Sequence, residues 1–137
     1  MGCVLTVAEQ RENKLKKITH EVVSEGKRLS EKLGLEMKCA LIGSSVAGLA
    51  DEAAHYGAKD VLVAEGKEFD KYTSMTYTTA LHEIVKKTNA SIILLGATSM
   101  GRDLGARLSA RLKAGFVNDC TSIDAGSNND ITFLHPM

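Results

Sequence analysis

Apolar and polar positions along the chain switch between a period of two and a period near 3.6, and each switch predicts a new element. Cys3 to Ala8 is a short run rich in β-branched residues, which predicts a first strand. Glu9 to Lys17 is polar and predicts a loop. Thr19 is expected to cap a helix whose apolar positions Val22, Val23, Gly26, Leu29 and Leu33 keep the helical period, with Gly34 as its stop. Met37 to Ile42 predicts the second strand. Gly43-Ser44-Ser45 then turns the chain into a helix carrying Val46, Leu49, Ala50, Ala53 and Ala54, which stops at Gly57. Val61 to Ala64 predicts the third strand and Glu65 to Lys71 a polar turn. A helix follows from about Thr73 to Thr88, with Tyr77, Ala80, Leu81, Ile84 and Val85 as its buried stripe. Ser91 to Leu95 is the fourth and most apolar strand. Beyond Gly96 to Gly101, a helix from about Arg102 to Lys113 carries Leu104, Leu108 and Leu112 on one face and ends at Gly115. Phe116 to Ile123 is strand-like, and Ile131 to Leu134 is expected to form one more strand before Pro136.

Strands that alternate with helices imply βαβ units, because parallel neighbours need crossover helices. The expected fold is one three-layer α/β/α domain over residues 1–137, Rossmann-like, with a mostly parallel sheet. Aromatic residues make up only 4% of the chain and Trp is absent, so Ala, Val, Leu and Ile must fill the core. Helices covering both faces of such a sheet suit that composition.

Seventeen Lys and Arg residues balance 17 Asp and Glu. A net charge of zero removes the electrostatic reason to expect nucleic acid, and leaves a homodimer or a protein partner easier to form. The sequence holds no apolar run of membrane-spanning length and opens on no targeting signal, so the expected location is cytoplasmic, with no membrane partner. Met1-Gly2-Cys3-Val4-Leu5-Thr6 fits the myristoylation pattern, but Val4, Leu5 and Val7 read better as the start of a buried strand. Cys3, Cys39 and Cys120 are far apart, and Cys39 sits in an apolar run that suits a reduced, buried thiol.

In open parallel sheets, ligands sit beyond the carboxyl ends of strands. Two loops here qualify as a candidate nucleotide cleft: Gly43, Ser44 and Ser45 after the second strand, and Gly96, Thr98 and Ser99 after the fourth. Capping of the following helix by Ser44 or Ser45 is the favoured role of the first. Gly96-x4-Gly101 begins like a phosphate loop but continues with Arg102 and Asp103, where a lysine and a Ser or Thr are needed. Asp103 supplies the helix with its own anion. Arg107 and Arg111 stand four apart on the face that Asp103 shares, which suits either an i, i+4 ion pair or an interface edge. His20, His55, His82 and His135 show no metal spacing, so neither a metal site nor a catalytic residue is assigned. Neither a GxSxG elbow nor a GxGxxG fingerprint after the first strand is present.

From Gly96 through Leu104, then Ala106-Arg107-Leu108, Ala110-Arg111-Leu112 and Asp119-Cys120-Thr121, the sequence resembles electron-transfer flavoprotein alpha subunits. Val7 to Arg11, Gly43-Ser44-Ser45, Ala54 to Val61 and Tyr72-Thr73 also resemble that family, in the same order. The resemblance implies a fold of the adenine nucleotide alpha hydrolase-like kind. It also implies an alpha–beta heterodimer that carries electrons from flavin dehydrogenases to an acceptor, with FAD held mainly by a C-terminal alpha domain and AMP by the beta subunit. The part matched is the N-terminal lobe, a non-catalytic scaffold that pairs with the beta subunit. His135 stands where the family usually has arginine, and the chain stops at Met137 before any FAD-binding sequence. The expectation is therefore a cloned fragment, a truncated paralogue or a stand-alone lobe, with no cofactor on this chain alone. Arg102, Arg107 and Arg111 are the candidate docking residues. The alternatives are an AMP-binding module using the cleft over Ala8-Glu9, Gly43–Ser45 and Gly96–Ser99, and a small hydrolase or transferase using Cys120 or His82.

Overall fold

The computed structural model describes residues 2–117 and 122–124. The chain opens with strand β1 (Cys3–Val7), a small hairpin of β2 (Gln10–Arg11) and β3 (Lys14–Leu15), and helix α1 (Lys17–Leu33). Strand β4 (Glu36–Gly43) leads through a 3₁₀ turn at Ala47–Leu49 into α2 (Ala50–His55) and β5 (Asp60–Glu65). After a second 3₁₀ turn at Lys67–Phe69 come α3 (Ser74–Thr88), β6 (Ile92–Leu94), α4 (Ser99–Leu112), β7 (Gly115–Val117) and β8 (Ser122–Asp124).

The main sheet runs in the order β5-β4-β1-β6-β8-β7. Strands β5, β4, β1 and β6 are parallel, while β8 runs antiparallel to β6 and to β7. Side-chain alternation divides the core into two layers. Cys3, Leu5, Val7, Ala40, Ile42 and Ile93 pack with Leu81 of α3 and with Leu104 and Leu108 of α4. Val4, Met37, Cys39, Leu41, Ile92 and Leu94 face the other way, toward Val22, Val23 and Leu29 of α1 and Ala53 of α2. The fold is thus the expected three-layer α/β/α, Rossmann-like arrangement, with every residue of β1 buried as in a strand covered on both faces.

The helical stripes match the periodicity closely, since Tyr77, Leu81, Ile84 and Val85 are buried and Ala80 packs at the margin. Gly26 is in the α1 stripe for a steric reason: a Cβ there would lie 2.2 Å from the Thr6 Cγ2 methyl, so α1 approaches β1 only with glycine at that position.

Several expectations need correction. The stretch from Glu9 to Lys17 is not simply a loop, because it contains the β2–β3 hairpin, whose turn residues Glu12 and Asn13 both have positive φ (52° and 62°). Helix α1 begins at Lys17 with Lys16 as its N-cap, so Thr19 lies inside the first turn and is buried. Helix α4 begins at Ser99, three residues earlier than expected, because Thr98 Oγ1 caps it by accepting the Gly101 N–H at 3.0 Å. Its end is set by Lys113 at φ 53°, with Gly115 already in β7, and the Phe116–Ile123 region holds two antiparallel strands in place of one. The expected strand at Ile131–Leu134 and the residues Asp119, Cys120, Thr121 and His135 lie outside the described residues.

Candidate functional site

The chain order places the site. From β1 the sheet grows outward through β4 to β5, then the chain returns through α3 to lay β6 on the other side of β1. The carboxyl ends of β1 and β6 therefore flank the switch point, where open α/β sheets place their ligands.

Glu9 occupies that position, two residues beyond β1, and is 4% exposed. Its carboxylate Oε1 accepts the Thr98 hydroxyl at 2.7 Å, which joins the β1 end to the start of α4. Its Oε2 lies 3.3 Å from Lys16 Nζ and has no hydrogen bond among the described residues. The Glu9 backbone is fixed as firmly, for its N–H donates to Thr19 Oγ1 at 2.9 Å while the Thr19 hydroxyl donates back to the Glu9 carbonyl at 2.8 Å. That carbonyl also accepts the Lys16 N–H at 2.8 Å.

The first candidate loop, Gly43-Ser44-Ser45, is anchored by other parts of the chain. Neither serine caps the turn that follows, contrary to expectation. Glu65 Oε2 instead accepts the amides of Val46 at 2.8 Å and Ala47 at 2.9 Å. The Ser45 amide donates to Asn13 Oδ1 at 3.2 Å, so the β2–β3 hairpin tip lies over this loop. Ser44 Oγ contacts Asn13 Oδ1 and Asp70 Oδ1, each at 3.4 Å.

In the second loop, Thr98 is engaged by both Glu9 and Gly101, and Ser99 is exposed. Gly96 and Gly101 serve packing: a Cβ on Gly96 would lie 2.5 Å from Ile18 Cγ1, and one on Gly101 would lie 1.9 Å from the Gly96 carbonyl oxygen. The two loops thus share the carboxyl edge of the sheet, and the chain between Glu9 and Lys16 links them.

On α4, Asp103 accepts hydrogen bonds from the Tyr72 hydroxyl and the Ser74 hydroxyl at Oδ2, and from Arg107 Nε at Oδ1, 3.1 Å away. The expected i, i+4 ion pair is present, and Asp103 also ties α4 to the start of α3. The Ser74 and Tyr72 hydroxyls, and then Arg107, hold the Asp103 carboxyl below its ordinary range. Burial, and then the adjoining Asp103 carboxylate, pushes Tyr72 up to about 12. Because the folded-state value of Asp103 is depressed, its contribution is complete above the unfolded carboxylate range and is lost as pH falls through the folded value. Asp103→Asn is expected to cost about 1 kcal/mol at neutral pH, since the site is partly exposed and screened. Urea unfolding of both proteins from pH 7 to pH 2 should show that gap closing only below about pH 4. A gap that stays constant across the range would disprove the assignment.

Arg102, Arg107 and Arg111 are all exposed, with Ala106 and Ala110 between them on the outer face of α4. Arg111 Nη1 donates to Thr79 Oγ1 of α3 at 3.1 Å. Of the groups considered for chemistry, His82 is half-buried on α3, and His20 stacks on Tyr56 with centroids 3.9 Å apart while its Nε2 lies 3.8 Å from Glu52. Burial pushes the Cys39 thiol up to about 11, which leaves it unreactive as a nucleophile. Among the described residues there is no group of three or more His, Cys, Asp or Glu that could hold a metal ion, and no helix is long and apolar enough to cross a membrane.

Sequence reasoning pointed to this edge of the sheet and placed Glu9 beside the two loops, but it did not single out Lys16 or Glu65. No local motif marks them, because each acts on a group brought near only by the fold. A cleft of about 450 Å³ beside Glu9 was also missed; it runs between the β2–β3 hairpin and the segment 70–72, with Tyr77 and Met100 in its wall.

The model of the electron transfer flavoprotein domain matches residues 4–137. Protein FixB of Clostridium saccharobutylicum is 42% identical over 134 residues, which cover 97% of this chain and 40% of that protein. The acryloyl-CoA reductase electron transfer subunit beta of Anaerotignum propionicum is 40% identical over 92% of this chain and 34% of its own length. The electron transfer flavoprotein subunit alpha of Clostridium acetobutylicum is 34% identical, again over 97% of this chain and 40% of the relative. The chain therefore spans about two-fifths or less of the length of these curated relatives. Because the match takes in residues 4–137 of the chain, the chain belongs to the electron transfer flavoprotein family.

Proposed function

We propose that this chain is the scaffolding and partner-docking N-terminal lobe of an electron transfer flavoprotein alpha subunit, non-catalytic by itself, which pairs with a beta subunit in the electron-carrying complex. The observation that carries the reading is the Glu9 carboxylate at the switch point, held by Thr98 and Lys16. Where related architectures leave room for a ligand phosphate, this chain sets a negative charge of its own. The amides of Val46 and Ala47 are likewise taken by Glu65.

FAD is the redox group implied for the complete protein, and the residues present do not fit it. Its pyrophosphate needs free backbone amides without a fixed carboxylate beside them. Here the amides after β4 are occupied and the start of α4 is capped from within, so no electron-transfer step is derived through this lobe. The same geometry weighs against AMP bound by Gly43, Ser44, Ser45, Gly96, Thr98 and Ser99.

Partner docking is assigned to the outer face of α4. Arg107 and Arg111 are held in place by Asp103 and Thr79, so less side-chain freedom is lost when a partner carboxylate approaches. Arg102 stands on the other flank of the same exposed face, across Ala106 and Ala110. The test is the affinity of the purified chain for its beta subunit, measured by calorimetry. The double variant Arg107→Glu, Arg111→Glu is expected to bind about a hundredfold more weakly. Equal affinity for wild type and variant would remove this face from the interface.

A further inference from the structure

Strand β5 ends the sheet, with β4 on one side and, among the described residues, no strand on the other. One bond tells which of its backbone groups are free. The Gly66 N–H donates to the Gly43 carbonyl at 3.2 Å, so Leu62 and Ala64, two and four positions earlier, also turn their N–H and C=O toward β4. Val61, Val63 and Glu65 turn theirs away from the sheet. The run Asp60-Val61-Leu62-Val63-Ala64-Glu65 has no proline, glycine or lysine to blunt that edge.

The side chains leave the same edge partly apolar. Leu62 and Ala64 pack on the layer of α3 and α4, and Val61 on the layer of α1 and α2. Val63 shares the Val61 face but is 39% exposed; among the large apolar side chains described, only Met75 is more open.

A second copy of the strand, running antiparallel, satisfies these groups in a register that the charges select. Hydrogen-bonded pairs must join outward-facing residues, here Val61, Val63, Glu65 and, just before the strand, Lys59. With the two-fold axis at Leu62, Val61 pairs with Val63 of the second copy, and Lys59 pairs with its Glu65. With the axis at Val63, Lys59 would oppose Lys67; with the axis at Ala64, Asp60 would oppose Glu68. Opposite charges across a strand pair are favourable and like charges are not, so the axis falls at Leu62. Both partners are available for that pair. Lys59 is exposed and has no hydrogen bond or ion pair among the described residues. Glu65 holds the Val46 and Ala47 amides with Oε2 alone, which leaves Oε1 for the lysine. A chain of zero net charge adds no long-range repulsion between copies.

We propose that two copies of this chain pair antiparallel along β5 about Leu62, so that one sheet runs through both. Val63 is then covered by Val61 of the second copy, and the free backbone groups of the edge are hydrogen-bonded. The contact involves no residue of α4, so it stands or falls independently of the docking role.

The test is sedimentation equilibrium of the 137-residue chain. Loaded from about 10 µM to about 1 mM, its mass should rise from that of one chain toward that of two, with a Kd on the order of 100 µM, the weak end expected of a single strand pair. Val63→Pro removes an N–H that faces away from β4, so it breaks no ladder bond within the chain and should weaken the dimer by about tenfold or more. Lys59→Glu sets a carboxylate opposite Glu65 at both ends of the pair and should weaken it by about tenfold. If Val63→Pro fails to fold, Lys59→Glu, a change on an exposed side chain, still decides the matter. A chain that stays monomeric up to about 1 mM leaves the edge to a different strand and overturns the proposal. A dimer untouched by Lys59→Glu, or one abolished by Arg107→Glu, Arg111→Glu, overturns it as well.

Discussion

Gly101→Ala is expected to destabilise the fold by about 3 kcal/mol, although alanine ordinarily improves a helix over glycine by about 1 kcal/mol. The reason is the close contact between the first turn of α4 and the end of β6. A Cβ at Gly101 would lie 1.9 Å from the Gly96 carbonyl oxygen and 3.2 Å from Thr98 Oγ1. The first of these atoms is backbone, so no rotamer change relieves the clash. Shifting α4 outward would stretch the Thr98 cap and the Thr98–Glu9 bond together. Gly48→Ala is the control, because nothing lies within 4 Å of a Cβ there. Urea unfolding of both variants settles the point: a Gly101→Ala midpoint at or above that of the wild type would rule out the contact.

That glycine shows how far the sequence could be read. Gly96-x4-Gly101 has the spacing of a phosphate-binding turn, and spacing alone cannot separate a glycine that admits a ligand from one that admits a carbonyl. Only the position of the Gly96 oxygen decides it. The helical stripes were legible because amphipathic periodicity is local, so Leu104 and Leu108 declare their face without reference to the rest of the chain. The parallel core was legible for the same reason. The hairpin was not, since its Glu12-Asn13 turn lacks the glycine that usually marks two successive positive-φ residues.

The bonds that fill the switch point were hidden for a different reason. Glu9 and Thr98 are 89 positions apart, and Glu65 is 19 from the Val46 amide it accepts. A carboxylate that will take up a helix-start amide looks, in sequence, like any charged surface residue. Asp103 was the exception. It lies within the first turns of the helix it serves, so its ion pair with Arg107 followed from the i, i+4 spacing, while its bonds to Tyr72 and Ser74 did not.

Thr19 gives the second large effect and separates two readings of one residue. As a helix cap it would be exchangeable with Ser, Asn or Asp at little cost. In the fold it is fully buried and bonded in both directions to the Glu9 backbone. Thr19→Val keeps the shape and removes the hydroxyl. The Glu9 carbonyl then still accepts the Lys16 amide, but the Glu9 N–H is left buried without an acceptor. One orphaned backbone donor costs about 2 kcal/mol. Thr19→Ser, which keeps the hydroxyl and loses a methyl, is expected to cost about 1 kcal/mol. Thr19→Asp should be worse than Thr19→Val, because it buries a negative charge against the Glu9 carbonyl. Hydrogen exchange adds a readout that a capping role would not move. Loosening Glu9 should speed exchange at Gly101, whose amide depends on the Thr98 hydroxyl that Glu9 orients. If Thr19→Asp proves as stable as the wild type, or exchange at Gly101 is unchanged in Thr19→Val, then Thr19 acts on α1 alone and Glu9 is held at the switch point by Thr98 and Lys16 without it.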